Sequence, residues 1–387
     1  MEDQRIFKVG IRGSYGGLNM GDEAILQCIV SQLREAVPVQ ITVFSRNPND
    51  TLRRHNVEKA LPVLDMTRGE SCREMSGLDL LIFGGGGIVF DAEAEIYLRE
   101  VQIANEMEIP VMVYAISAGP LKKFSSQQLV RESMDPVALI TVRDREAKRT
   151  LENAGVERDI TVTADPALCM VPEPLEDDRL LRDGIDESSC LVGMSVREPG
   201  PAAPDIDHDR YHGLLADAAD FMIDRYKAHV VFIPMERSMR DMQHSHAVVS
   251  KMLRPQHATV LKGDYSPGQL LYIMNRFTFA VGMRLHFLIF AALQGIPFVA
   301  LPYSAKVQGF LQDMEIEIPP LELVNAGRLI AHIDDKWDNR ETLRTHIKQR
   351  IPELKTRALE NNRMLVDLLY RLPRQEDRSP PARDCRI

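Results

Sequence analysis

The stretch 281–309, VGMRLHFLIFAALQGIPFVALPYSAKVQG, leaves a chain of this kind few ways to fold. It starts at the end of an apolar run (Phe277, Phe279, Ala280, Val281) with strand character. A glycine follows, then Arg284 and His286 one residue apart, then an unbroken apolar run over residues 287–293. That run suits a helix buried on most sides. Gly295 and Pro297 end it, residues 298–301 read as the next strand, and Lys306 lies just past that strand. In an open parallel sheet, ligands bind outside the carboxyl ends of the strands, where helix N-termini also point. Arg284, His286 and Lys306 are therefore expected to converge on one pocket, with the positive end of a helix dipole directed into it. A guanidinium, an imidazole and an ammonium gathered there call for a small polyanion. The competing reading is a strand-helix-strand unit with incidental polar ends, but Arg-x-His at the mouth of so apolar a unit has few structural uses.

At 387 residues the chain is too long for one ordinary core, and two domains are expected. The net charge of −9 argues against a general nucleic-acid surface, so an anion site must be a local concentration of Arg and Lys. The five cysteines are far apart and odd in number, suggesting neither a zinc knuckle nor a disulfide framework, and they fit a reducing compartment. The charged start MEDQRIFKVG has no apolar core segment for export, and no apolar run reaches 18 residues. A cytoplasmic protein is expected, with contact to a membrane-borne substrate left open.

Strand and helix signals alternate along the chain, which predicts doubly wound parallel sheets. Residues 7–11 read as a strand that runs into Gly13-Ser-Tyr-Gly16-Gly17-Leu-Asn19-Met-Gly21-Asp22-Glu23, and an amphipathic helix follows. The loop lacks the G-x-G-x-x-G order of a dinucleotide site. Gly16 and Gly21 copy a P-loop's glycines, but Asp22 and Glu23 stand where Lys and Ser or Thr are needed and would repel phosphate. A hydroxyl-rich acceptor fits this loop, a purely structural turn being the alternative. Strands are expected at 39–44 and 78–83, the latter followed by Gly84-Gly85-Gly86-Gly87, where backbone can approach a ligand or a facing domain closely. After the strands 111–116 and 138–142, Arg143-Asp144-Arg145 opens a helix, which puts Arg143 at a strand tip like Arg284. Residues 160–163 and Asp165-Pro166-Ala167 close the first half.

The predicted organisation is a Rossmann-like N-terminal domain over 1–172, taken as the acceptor side, an acidic linker over 173–190, and a second Rossmann-like domain over 191–336. A long helix at 337–372 is expected to pack back across both, ahead of a disordered tail at 373–387. The second domain opens with a strand at 191–196 that ends in Arg197. His208 and His212 have the i, i+4 spacing of a zinc helix, but no third ligand is near in sequence, and His244-x-His246 would diverge on a helix. No metal site is expected. No G-x-S-x-G elbow is present to support a serine hydrolase.

Taken together, these residues resemble the polysaccharide pyruvyl transferase family. The resemblance rests on the loop Gly13 to Glu23, the glycine run Gly84 to Gly87, Ser117-Ala-Gly-Pro120, Arg143-Asp144, Asp165-Pro-Ala167, Ser195-Val-Arg197, Gly282-Met-Arg284-Leu-His286 and the Lys306 region. It spans about residues 7 to 310 in consistent order. It implies two Rossmann-like domains facing a cleft, as in GT-B glycosyltransferases. It also implies phosphoenolpyruvate as donor, a sugar of a cell-surface polysaccharide or a lipid-linked precursor as acceptor, and a cyclic pyruvate ketal as product. On that basis His286 is the expected general acid. Arg143, Arg284 and Lys306 would clamp the donor's charge and stabilise the departing phosphate, Arg143 and Lys306 counting with His286 as catalytic; Arg197 would also bind the donor, and Gly16, Gly17, Asn19, Asp22, Gly85 and Gly86 would line the acceptor side. The scheme requires no cofactor or metal.

Two other readings stand beside this one. Ala291-Ala-Leu-Gln-Gly-Ile-Pro297 resembles the E-A-x-A-x-G-x-P stretch of nucleotide-sugar glycosyltransferases, although Phe290 occupies the place of a ribose-gripping carboxylate. A non-catalytic glycan-binding protein would leave the strand-tip cations unexplained.

Overall fold

The computed structural model describes residues 5–176, 179–185, 189–198, 207–236, 240–301, 305–317 and 325–373, without the side chains of residues 208 and 305. Two compact units emerge, and neither is a single stretch of chain. The first takes the described residues of Met1–Gly17, Asp22–Cys169 and Lys355–Ile387; the second takes those of Leu18–Gly21 and Met170–Leu354. The expected tail from residue 374 onward lies outside the described residues.

The first unit is built on seven strands: β1 (Phe7–Arg12), β2 (Val39–Ser45), β3 (Lys59–Pro62), β4 (Leu80–Val89), β5 (Val111–Ala118), β6 (Leu139–Val142) and β7 (Ile160–Val162). They pair in parallel in the order β3-β2-β1-β4-β5-β6-β7. Winding starts at β1, runs outward to β3, then restarts on the other side at β4. The carboxyl ends of β1 and β4 therefore flank the switch point, where an open sheet leaves a crevice. Both glycine elements noted in the sequence sit there. The interior strands are apolar almost throughout, because helices cover both faces of a parallel sheet. Strand β3 carried no such signal in the sequence, for Lys-Ala-Leu-Pro is the charged, proline-ended composition of an edge strand.

The glycine run also departs from expectation. It does not follow the strand but continues it, with Gly84 opposite Tyr114, Gly86 opposite Ile116 and Gly87 opposite Ser117 on β5. Gly85 and Gly86 have φ of 77° and 92°, a region closed to most side chains. On β5 the matching irregularity is Ala115, at φ 47°, where the pairing with β6 shifts between Val113 and Ile116. The two central strands thus bulge side by side.

The second unit holds β8 (Cys190–Ser195), β9 (Ala228–Phe232), β10 (Ala258–Val260), β11 (Phe279–Gly282) and β12 (Phe298–Ala300). These are also parallel, in the order β10-β9-β8-β11-β12, so the switch point falls between β8 and β11. The helix Leu285–Leu293 crosses from β11 to β12 as expected, and Phe287, Leu288, Ile289, Phe290 and Ala291 are fully buried. Burying each large apolar side chain contributes about 1.5–3 kcal/mol, so this short helix needs no cap of its own.

The expected C-terminal helix is present as one element, and a separate shorter helix precedes it. Ala326–Asp338 is capped by Asn325, and Arg340–Arg371 follows after Asn339. The longer helix buries Ile347, Ile351 and Leu354 in the second unit, and Ala358, Leu365 and Leu369 in the first. Cys28, Cys169 and Cys190 are free thiols, whereas Cys72 is disulfide-bonded, which the sequence spacing gave no sign of. Among the described residues no helix is long and apolar enough to cross a membrane.

Candidate functional site

In the second unit, three neighbouring strands deliver cations past their carboxyl ends. Arg197 follows β8, Arg284 and His286 follow β11, and Lys306 lies in the helix Ala305–Asp313 after β12. Arg284 occupies the N-cap position of Leu285–Leu293, and His286 lies in that helix's first turn. The imidazole packs against backbone: a Cβ placed on Gly21 would lie 1.9 Å from its Nδ1. Gly21 reaches that position because Leu18–Gly21 belongs to this unit. Met20 N donates to Met235 O at 2.8 Å, and Asn19 pairs with Glu236 in an isolated antiparallel bridge. The Asn19 side chain accepts from Gly21 N at 3.0 Å, so this asparagine shapes the turn that backs the imidazole.

Arg284 carries two partners that the sequence did not reveal. Its Nε and Nη2 donate to the two oxygens of Asp241 at 2.9 and 2.5 Å, and its Nη1 lies 2.9 Å from Glu236. Asp241 is fully buried, and its Oδ2 also accepts from the backbone N–H groups of Met235 and Glu236. Burial pushes the Asp241 carboxyl above the ordinary carboxylate range, against the pull of Arg284 and Arg197 and with a further push from Glu236. Arg284 is therefore a charge already matched by carboxylates, and its fork is committed to orienting the start of its helix. At the switch point itself, the buried Ser195 hydroxyl at the end of β8 has no hydrogen-bond partner among the described residues. Tyr211, its phenol pushed up by burial, donates to the Met283 sulfur and closes the floor of this edge.

In the first unit the carboxyl edge holds Arg143, buried, with Nη1 donating to Asp165 at 2.8 Å and Nε 3.8 Å from Asp144. Its Nη2 is buried without a hydrogen-bond partner among the described residues. Asp144 caps the helix Arg145–Asn153 through Ala147 N and accepts from Ser117 Oγ at 2.8 Å. Of the expected acceptor residues, Asp22 and Gly86 meet, since a Cβ on Gly86 would lie 2.9 Å from Asp22 Oδ1. Gly85 instead makes room for Ile25 and for Tyr15, whose hydroxyl donates to Gly84 O. Gly16 packs against Ser45 and Asn47, and its N–H donates to Glu23 Oε1 at 2.8 Å. Glu23 in turn meets His55 at 2.7 Å, both buried, so the second acid of the loop is structural. Gly17 stays half-buried beside Arg46, a half-exposed arginine past β2 that no motif had marked.

The histidine spacing read against zinc finds a different partner: His212 Nε2 and His244 Nδ1 are 2.9 Å apart, joining two helices. Among the described residues no group of three or more His, Cys, Asp or Glu could hold a metal ion.

A family model described as polysaccharide pyruvyl transferase matches residues 19–305. The chain belongs to that family. No functionally curated protein matches it. Solved structures resemble this member of the polysaccharide pyruvyl transferase family in fold. A putative UDP-N-acetylglucosamine 2-epimerase from Listeria monocytogenes is 13% identical, with TM-score 0.63 over 97% of this chain and 98% of its own. The UDP-GlcNAc 2-epimerase from Neisseria meningitidis, bound to UDP-GlcNAc, is 10% identical, with TM-score 0.62 over 94% and 99%. A glycosyltransferase from Rickettsia africae is 10% identical, with TM-score 0.61 over 95% and 99%. These likenesses place the two parallel-sheet domains of this pyruvyl transferase family member in the GT-B-like fold class.

Proposed function

We propose that this transferase moves a pyruvyl group from phosphoenolpyruvate to a sugar of a cell-surface polysaccharide or its lipid-linked precursor, forming a cyclic ketal and releasing phosphate. The observation that carries the reading is the set of Arg197, Arg284, His286 and Lys306 past the carboxyl ends of β8, β11 and β12, within the family-matched residues or one position beyond them. A compact trianion with a carboxylate and a phosphate suits such a set. Arg197 and Lys306 are assigned to the donor's charges. Arg284, already held by Asp241 and Glu236, adds helix-oriented donors rather than unmatched charge. Arg143 offers its buried Nη2 to an anionic substrate group in the first unit. Gly17, Asp22 and Gly86 remain with the acceptor, while Asn19 shapes the turn behind His286.

In the reaction, His286 gives a proton to the methylene carbon, leaving the central carbon cationic. A sugar hydroxyl attacks that carbon, the bond to the phosphate oxygen breaks, and a second hydroxyl closes the ring. Of the two hydroxyl protons released, one restores the acid and the other leaves on phosphate. The helix N-terminus and the nearby cations stabilise the departing charge.

The test is phosphate release from phosphoenolpyruvate against a panel of sugar acceptors, beside a nucleotide-sugar panel. His286→Asn can still donate a hydrogen bond but cannot deliver a proton near neutral pH. It should keep donor affinity within a few-fold and lose on the order of 10²–10⁴ in turnover. Near wild-type turnover in that variant would remove His286 from the acid role. The nucleotide-sugar reading draws on UDP-GlcNAc in the Neisseria epimerase structure. Against it, Phe290 is fully buried in the core, where no carboxylate could reach a ribose.

A further inference from the structure

We infer that Asn361, in the C-terminal helix and outside the family-matched residues, is a positioning residue for Arg143. The inference rests on the reading of Arg143 as an anion contact. Asn361 is fully buried, and three of its four amide bonds run to the strand and loop that frame this arginine. Its Oδ1 accepts from the Thr141 hydroxyl at 2.7 Å and from the Thr163 hydroxyl at 2.8 Å. Its Nδ2 donates to Ala164 O at 3.1 Å and to Ala358 O, one turn back in its own helix, at 3.0 Å.

The contacts to Thr141, Thr163 and Ala164 lie beside Arg143. Ala164 immediately precedes Asp165, the carboxylate that takes Arg143 Nη1, and Thr163 N pairs with Val142 O directly before Arg143. Arg357, one turn earlier in the same helix, donates to Thr163 O at 2.7 Å, so the helix grips this loop at two levels. On the other side, Thr141 Oγ1 accepts from Ala115 N at 2.8 Å, the left-handed residue of the β5 bulge. That bulge delivers Ile116 O to Arg143 N at 3.0 Å and Ser117 Oγ to Asp144. One amide therefore satisfies both the bulge and the Asp165 loop. A buried amide tolerates no partial pairing, so it fixes a single arrangement of the two. An apolar helix face would pack as well without specifying where the Arg143 fork points.

The test uses the full chain, with inorganic phosphate and phosphoenolpyruvate as probes. Side-chain Nε–H resonances of ¹⁵N-arginine are recorded without substrate, the Arg143 signal being assigned by its loss in Arg143→Lys. Asn361→Leu should shift that signal. It should also weaken anion binding about tenfold in an otherwise wild-type chain, yet less than twofold in an Arg143→Gln chain, because contacts in one network are not additive. Thr163→Val removes one bond from the same network and serves if Asn361→Leu does not fold; it should shift the signal in the same sense. An unmoved Arg143 resonance in a folded variant, or equal losses in both backgrounds, would overturn the inference. A shifted resonance in a protein that binds neither probe would sustain the positioning and refute the anion role of Arg143.

Discussion

Replacing Asp241 by Asn tests whether the buried ion pair with Arg284 organises the carboxyl edge of the second unit's sheet. The carboxylate makes four contacts: Arg284 Nε at 2.9 Å, Arg284 Nη2 at 2.5 Å, and the N–H groups of Met235 and Glu236 at 3.2 and 3.1 Å. All four partners are donors. An amide keeps one acceptor oxygen and turns a second donor toward either the guanidinium or the backbone pair. Arg284 is left buried with Glu236 alone, and stranding a buried charge in this way costs about 3–5 kcal/mol. Adding Arg284→Met should recover part of the loss, because the stranded guanidinium is then removed while the amide still accepts from the backbone N–H groups of Met235 and Glu236. Urea unfolding followed by the fluorescence of Trp337 suits the question. Trp337 is the chain's one tryptophan, and it stacks on Tyr226 in the second unit. The sign of the pH dependence is also fixed. Burial holds the folded carboxyl above its unfolded value, so the native state carries an extra proton between the two. The wild type should therefore lose stability as pH rises through that window, whereas Asp241→Asn has no proton to lose there. A loss below about 1 kcal/mol with an unchanged slope against urea would refute the organising role. A wild-type stability that grows with pH through that window would show that Arg284 outweighs burial.

Glu236→Gln should cost less than Asp241→Asn in the same unfolding assay, since Glu236 is 14% exposed and makes one contact to Arg284. Gly21→Ala should lower turnover on the order of tenfold or more, because its methyl group would occupy the place of the imidazole edge; an unchanged steady-state rate would mean that the ring has another seat. Gly85→Ala should destabilise the first unit by more than about 1 kcal/mol by thermal unfolding, being strained at φ 77° and crowded by Ile25 and Tyr15. Arg143→Lys should weaken phosphate binding about tenfold by calorimetry, as an ammonium cannot reproduce a fork held by Asp165.

What was legible in the sequence was whatever local period and punctuation encode. The apolar run after His286 announced a buried crossover helix, and the placement of Arg284 and His286 followed from strand, glycine and helix start. Asp241 was illegible because it opens an ordinary helix 43 residues before Arg284, with nothing local to mark the pairing. Asn361 was hidden for the opposite reason: its helix is rich in polar residues, and only the fold distinguishes a buried amide from solvated ones. The glycine run was seen but its meaning was missed. It serves a strand that continues through a bulge, and that depends on how β5 pairs with β6. Strand β3 and the pairing of His212 with His244 likewise arise from contacts across long loops.

The discontinuity of both units governs how a ribosome can make this protein. The first unit needs Lys355 and the residues that follow, Asn361 and Arg357 among them, to complete the seat of Arg143. The part of this unit up to Cys169 must therefore wait, sheet in place but one wall missing, until the segment from Lys355 onward has been made. The second unit has its last segment, and the early-made Leu18–Gly21, available before then. The domain translated first is thus the one finished last, against the usual order of synthesis. A stop codon ahead of Arg340–Arg371 would leave Arg143, Arg284 and His286 in the polypeptide while withholding the helix whose Asn361 and Arg357 bond the strand and loop beside Arg143.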